Sequence, residues 1–396
     1  MKGTILFNGN IRFETDFIEK FKDRILSSNH FDQQVRNSKK VLLITAAWQK
    51  REFQENHIKQ ALYNIGIQPN FKNGFDQNIQ NLSIYHDFNR FKKEVPSIHS
   101  FYHSKQKVIQ KVKEFYREKN SGLISILQKQ LSILKSTFNN VTLHSVLSYD
   151  VQQTSNNLNS INQWELLYHY GCKDIQSTMK KLKENDDEMI KVCHEIDDYF
   201  FSNSNIYHNE TYKYMKANLE ERILSSNSIF IFGGNVAVLY NRLNFFKLKD
   251  TFTEALNRGT NFYTVSAGSL SLCDKIIVLD DNSNEWAGKN MYDYELFDVG
   301  FSLVKKVQIF PHCRDYIHLE DADTITYTVE RFKDTTCVGL DQDSFLLLET
   351  YEENGQEYER FSSIGKEDGL YIFNKNGNVK ITGYLEELEL PGTKIE

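Results

Sequence analysis

Two kinds of hydrophobic pattern alternate along this chain. Val41-Leu42-Leu43-Ile44 and Ile229-Phe230-Ile231-Phe232 are continuous apolar runs, the pattern expected of strands buried on both faces of a parallel sheet. Residues 4–7 read as another strand. Between these runs, apolar residues recur every three or four positions. Phe17, Ile18, Phe21 and Ile25 predict an amphipathic helix over residues 16–26, and Ile58, Ala61, Leu62 and Ile65 predict a second, stopped at Gly66. Residues 1–74 therefore open an α/β fold.

The middle of the chain has a different texture. Residues 75–222 are polar, poor in glycine and helical by period. Val108, Val112 and Phe115 share a face, and Leu127, Leu131, Leu134 and Phe138 follow the 4-3-4 spacing of a packing seam. Met189, Val192 and Ile196 continue the pattern, with Tyr214, Leu219 and Ile223 less regular. Polar joints at residues 154–160 and 202–205 separate the helices. This predicts a helical insert of about five or six helices. Residues 223–396 return to α/β and complete the discontinuous domain begun by residues 1–74. A buried strand leads into Gly233-Gly234-Asn235, and helices follow through Leu239, Leu243 and Phe246 and over residues 250–257. The tail is rich in β-strands, with hairpin turns expected at Asn354-Gly355 and Asn376-Gly377.

Composition narrows the class. The 396 residues are 40% hydrophobic and 25% charged, as in ordinary globular proteins. A net charge of −6 without a basic block gives no electrostatic footprint for nucleic acid or an anionic membrane. The apolar run near the N-terminus is too short for a signal-peptide core, and no stretch reaches a membrane span. Cys172, Cys193, Cys273, Cys313 and Cys337 are odd in number and scattered. A reducing cytoplasm is the expected location, with no disulfide framework or zinc site. Cys193-His194-Glu195 lacks further ligands for a metal. Cys273 and Cys337 read as core residues.

The chemistry gathers after residue 227. Tyr263-Thr264-Val265 ends in Ser266-Ala267-Gly268-Ser269, a serine among small residues at a strand-to-helix turn, as in a nucleophile elbow. Phe310-Pro311-His312 follows an apolar run, and Val338-Gly339-Leu340-Asp341-Gln342-Asp343 precedes another. Taken in order with Gly233-Gly234-Asn235, these elements resemble the peptidase E (aspartyl dipeptidase) and cyanophycinase family of serine peptidases. That family is related to the class I glutamine amidotransferases. It runs a strand into G-G-N or G-G-D, then S-A-G, then a histidine often preceded by proline, then G-[IL]-x-E. The resemblance covers about residues 227–348, with residues 1–70 similar in general texture, and leaves the helical insert outside it.

The resemblance implies a three-layer α/β/α sandwich with a mainly parallel sheet, carrying a large helical insert and a C-terminal part rich in β-hairpins. It also implies a serine hydrolase acting on a small peptide or isopeptide amide without cofactor or metal. Ser266 would attack, His312 would carry the proton, and the amides of Gly234 and Ala267 would bind the oxyanion. Asn235 and Arg314 are candidates for substrate binding. Asp281, fifteen residues past Ser266, falls where the family often has an acidic residue; a solvated loop explains it equally well.

Three departures bear on activity. The family's glutamate is replaced by Gln342, whose amide can hold the His312 ring without stabilising an imidazolium by charge. Losing that charge costs roughly 10⁴ in kcat. Asp341 and Asp343 are alternative acids only if the loop is shifted by one. Thr264 stands where the family has glycine, and the arginines after the histidine are reduced to Arg314 and Arg331. A second reading stays open, in which a weakened descendant binds a partner or a second copy of itself through the insert.

Overall fold

The computed structural model describes residues 2–27, 29–152, 162–279, 294–353, 356–365, 368–383 and 387–388. Its main sheet has eight strands. Five run parallel, in the order Ile5–Asn8, Asn261–Thr264, Ser228–Ile231, Val41–Ile44 and Ile79–Asn81. Ser344–Glu353 pairs antiparallel with Ile5–Asn8, followed outward by Gln356–Gly365 and Glu387–Leu388. The continuous apolar runs are buried because both sheet faces are covered. Along one strand Ile229 and Ile231 enter one core, while Phe230 enters the other with Phe17, Ile18, Ile58 and Leu62. The expected mixed α/β sandwich with a helical insert is the observed architecture.

Residues 16–26 form two short helices, Glu14–Lys20 and Lys22–Leu26, that meet at Phe21. The segment expected to be helical also supplies the edge strand Ile79–Asn81. Two helices dominate the rest of it, Pro96–Thr137 with 42 residues and Gln163–Asn203 with 41. They are antiparallel. Lys105 meets Asp197, Asn120 meets Asp186, and a Cβ on Gly171 would lie 2.8 Å from Leu134. Leu127, Leu131 and Leu134 are buried as the seam requires. Polar joints between helices are observed around residues 203–205, while the joint at 154–160 lies outside the described residues.

A second sheet orders Val307–Pro311, Thr336–Leu340, Leu370–Phe373 and Val379–Thr382. Gly377, at φ 85°, closes the hairpin between the last two, as its Asn-Gly pair predicted. The Asn354-Gly355 turn lies outside the described residues, and the strands flanking it pair from Glu353 and Gln356 onward. All five cysteines are buried and unpaired. Among the described residues no helix is long and apolar enough to cross a membrane.

One buried carboxyl carries a pH dependence. Burial pushes Glu52 up to about 7 from its ordinary 4.5, against the pull of the Tyr85 and His86 amides that donate to it at 2.9 and 2.8 Å. The folded chain thus holds this proton where the unfolded chain has lost it. The associated stability is complete below about 4.5 and is lost as pH rises toward 7. Glu52→Gln is expected to flatten that decline in urea unfolding measured across the interval; an unchanged slope would assign the titration to other groups.

Candidate active site

Ser266 sits where the Asn261–Thr264 strand turns into the helix Ala267–Leu272, with φ 49° and ψ −109°. A non-glycine residue in this region stores of order 1–3 kcal/mol of strain and persists only when its surroundings impose it. Those surroundings are identifiable. The Ser266 amide donates to the Asn8 carbonyl at 2.9 Å, and that of Gly268 to Val265 at 2.8 Å. A Cβ at Gly268 would lie 2.1 Å from the Ile231 carbonyl, so only glycine lets the helix start against the neighbouring strand. Thr264, unusual beside the resembled pattern, places its hydroxyl 2.9 Å from that of Ser269, and the pair reaches the carbonyls of Leu6 and Asn8. The hydroxyl therefore ties the turn to the sheet.

His312 follows the strand Val307–Pro311 in a left-handed conformation, φ 51° and ψ 42°. Its Nε2 lies 3.1 Å from Ser266 Oγ. Asp315 Oδ2 is 3.8 Å from Nδ1, too long for a direct hydrogen bond. The Gly233–Gly234 turn lies against the serine, since a Cβ at Gly233 would come within 2.9 Å of the Ser266 Cβ. Gly234 has φ 128°, and a Cβ there would press to 3.0 Å on the Ala47 carbonyl. Among the described residues, the amides of Gly234 and Ala267 donate to no protein acceptor. Both remain available to a ligand oxygen.

The other predicted residues have different surroundings. Gln342 is exposed, and its amide donates to Asp343 Oδ2 at 3.2 Å. Asp343 Oδ1 accepts from the Arg12 amide at 3.2 Å. Asp341 anchors the turn after the histidine, accepting from the Arg314 amide at 2.9 Å and from the Tyr371 hydroxyl at 2.8 Å, with Arg314 Nε at 3.0 Å. Arg314 is thus engaged by a carboxylate of its own chain. Asn235 caps the helix Val236–Phe245 by accepting from the Val238 amide at 2.9 Å. Asp281 lies outside the described residues.

Ser266 and His312 open into a cleft of about 1290 Å³, also lined by Asn10, Trp48 and Gly234. Its far wall is the helix Pro96–Thr137. Sequence reasoning missed this wall, and it missed the buried Asp186–Arg331 pair beside it. Arg331 donates twice to Asp186, Nε to Oδ2 at 2.8 Å and Nη2 to Oδ1 at 3.0 Å, while Asn120 donates at 2.9 Å. The available signal was an acid on an apolar seam: Met179, Leu182, Asp186, Met189 and Cys193 are all buried at steps of three and four. Among the described residues, no group of three or more His, Cys, Asp or Glu is placed to hold a metal ion.

A serine beyond the carboxyl end of a strand of the main sheet, paired with a histidine beyond the end of a strand of the second sheet, is an arrangement of serine-peptidase type. The model of peptidase family S51 matches residues 187–354, a stretch that contains Ser266 and His312. A crystal structure of a peptidase from an acI-B1 Actinobacterium is similar over 98% of each chain, at 11% identity and a TM-score of 0.46. No curated protein matches the chain.

Proposed function

We propose that this chain hydrolyses a peptide amide with Ser266 as nucleophile. The observation that carries the reading is the 3.1 Å contact between Ser266 Oγ and His312 Nε2. The Ser266 proton passes to Nε2 as Oγ bonds to the carbonyl carbon, and the amides of Gly234 and Ala267 hold the oxyanion. His312 then protonates the leaving amine, and water releases the acyl group by the same steps. A serine-reactive fluorophosphonate tests the reading. Wild-type protein is expected to be labelled at Ser266 and His312→Ala to lose labelling; an unlabelled, folded wild type would overturn it.

The group that orients His312 is a separate question. Gln342 turns its amide to Asp343, so Gln342→Glu is expected to leave kcat within about threefold; a large gain would make it the third member of a triad. Asp281, from the resemblance, and Asp315, from its 3.8 Å approach, are the carboxylates to compare. Replacing the true partner by Asn is expected to lower kcat by roughly 10⁴. The rival reading, a binding protein working through the insert, draws on exposed apolar residues of the first long helix, Val108, Phe115, Ile126 and Ile133. An unreactive serine together with self-association in solution would favour it.

A further inference from the structure

The first long helix distributes its residues in an unusual way. His103, Gln106, Gln110, Lys113, Arg117, Ser121, Ile124 and Gln128 recur at steps of three and four and line the same cleft as Ser266 and His312. All but one are polar. The exposed residues Val108, Phe115, Ile126 and Ile133, spaced by seven, eleven and seven, lie on the opposite side of the helix. A helix packed only for stability turns apolar residues inward and polar ones to solvent. Here the side facing the cleft is the polar one, and that suits a hydrated groove holding a polar ligand.

The dimensions indicate how long that ligand is. From His103 to Gln128 the helix rises about 38 Å, the span of roughly 11 residues of extended peptide. The cleft volume of about 1290 Å³ exceeds the roughly 300–1,000 Å³ that suits a single small ligand. Charge narrows the class further. Among the cations lining the cleft, Lys113 pairs with Asp298 at 2.8 Å, Arg117 with Glu295 at 2.6 Å, and Arg331 with Asp186. Lys107 lines the cleft and has no carboxylate partner among the described residues.

We infer that the substrate is an extended peptide of several residues, held along the polar side of the helix Pro96–Thr137, with an acidic side chain at Lys107. This rests on the hydrolase reading above and assigns the substrate class of that same site. The carbonyls and amides of such a chain meet the side-chain amides of Gln106, Gln110 and Gln128. Its carboxylate meets the Lys107 ammonium, and this contact lowers KM without touching the reacting bond.

The test uses the full-length protein and peptides of two to twelve residues, each made with Glu and with Gln at successive positions. The wild type is expected to show kcat/KM rising at least tenfold from dipeptides to decapeptides. At one position Glu should be favoured over Gln, and Lys107→Gln should bring that ratio to one through KM. Dipeptides cleaved as well as decapeptides, or a ratio unchanged in Lys107→Gln, would overturn the inference. Fluorophosphonate labelling of the same preparation separates the two failures. A labelled enzyme without length dependence refutes only the extended peptide, whereas an unlabelled one refutes the hydrolase.

Discussion

Ser266→Ala is expected to lower peptide hydrolysis by a factor on the order of 10⁴–10⁶ while leaving the fold intact. The size of the effect follows from the role: Ser266 Oγ is the hydroxyl held 3.1 Å from His312 Nε2. The intact fold follows from the bonds that shape the turn. They run through the Ser266 backbone to Asn8 and through Gly268 to Val265, and alanine keeps them. His312→Ala is expected to cost a similar factor, and the double variant little more, because the two residues act as one unit. Turnover of a chromogenic peptide with each purified variant, alongside thermal melting, measures this. Activity retained in Ser266→Ala with an unchanged melting temperature would remove the serine from the mechanism.

Asp186→Ala should have the largest effect on stability, a loss of about 3–5 kcal/mol. Arg331 is 3% exposed and Asp186 4%, so removing the carboxylate leaves a buried guanidinium with the Tyr327 hydroxyl at 3.0 Å and no carboxylate partner among the described residues. The pair joins the second long helix to the helix Ala322–Arg331 of the α/β part. Its loss therefore loosens the insert where it borders the cleft. Replacing both partners, as in Asp186→Leu with Arg331→Met, should recover most of the stability, because no buried charge remains unpaired. Urea unfolding of the two single variants and the double variant gives the coupling. A double variant as unstable as either single would show that shape, more than charge, governs the site.

The parts of the site that could be read from the chain are those with local causes. Gly234 needs φ 128°, which L side chains rarely adopt, and the small residues after Ser266 let a helix begin against a neighbouring strand. These requirements leave a mark in the sequence. The environment of His312 leaves none, because it depends on where separate loops meet. The resemblance alone set Gln342 beside the histidine as a candidate. In the folded chain Gln342 turns to Asp343, and Asp341 anchors the Arg314 backbone and the Tyr371 hydroxyl. Asp186 on its apolar seam was visible as an anomaly, but its partner Arg331 is 145 residues away in the chain.

The sequence by itself determined the alternation of buried strands and amphipathic helices, the strained turn at Ser266 and the order of the chemical groups. All of these follow from side-chain volume, backbone freedom and periodicity acting over a few residues. Tertiary structure alone decided that Ser266 meets His312 and that the helical insert forms a wall of the same cleft. Each of these depends on contacts between segments dozens of residues apart or more. Packing of two cores on either side of one sheet fixes them, and no local pattern encodes it.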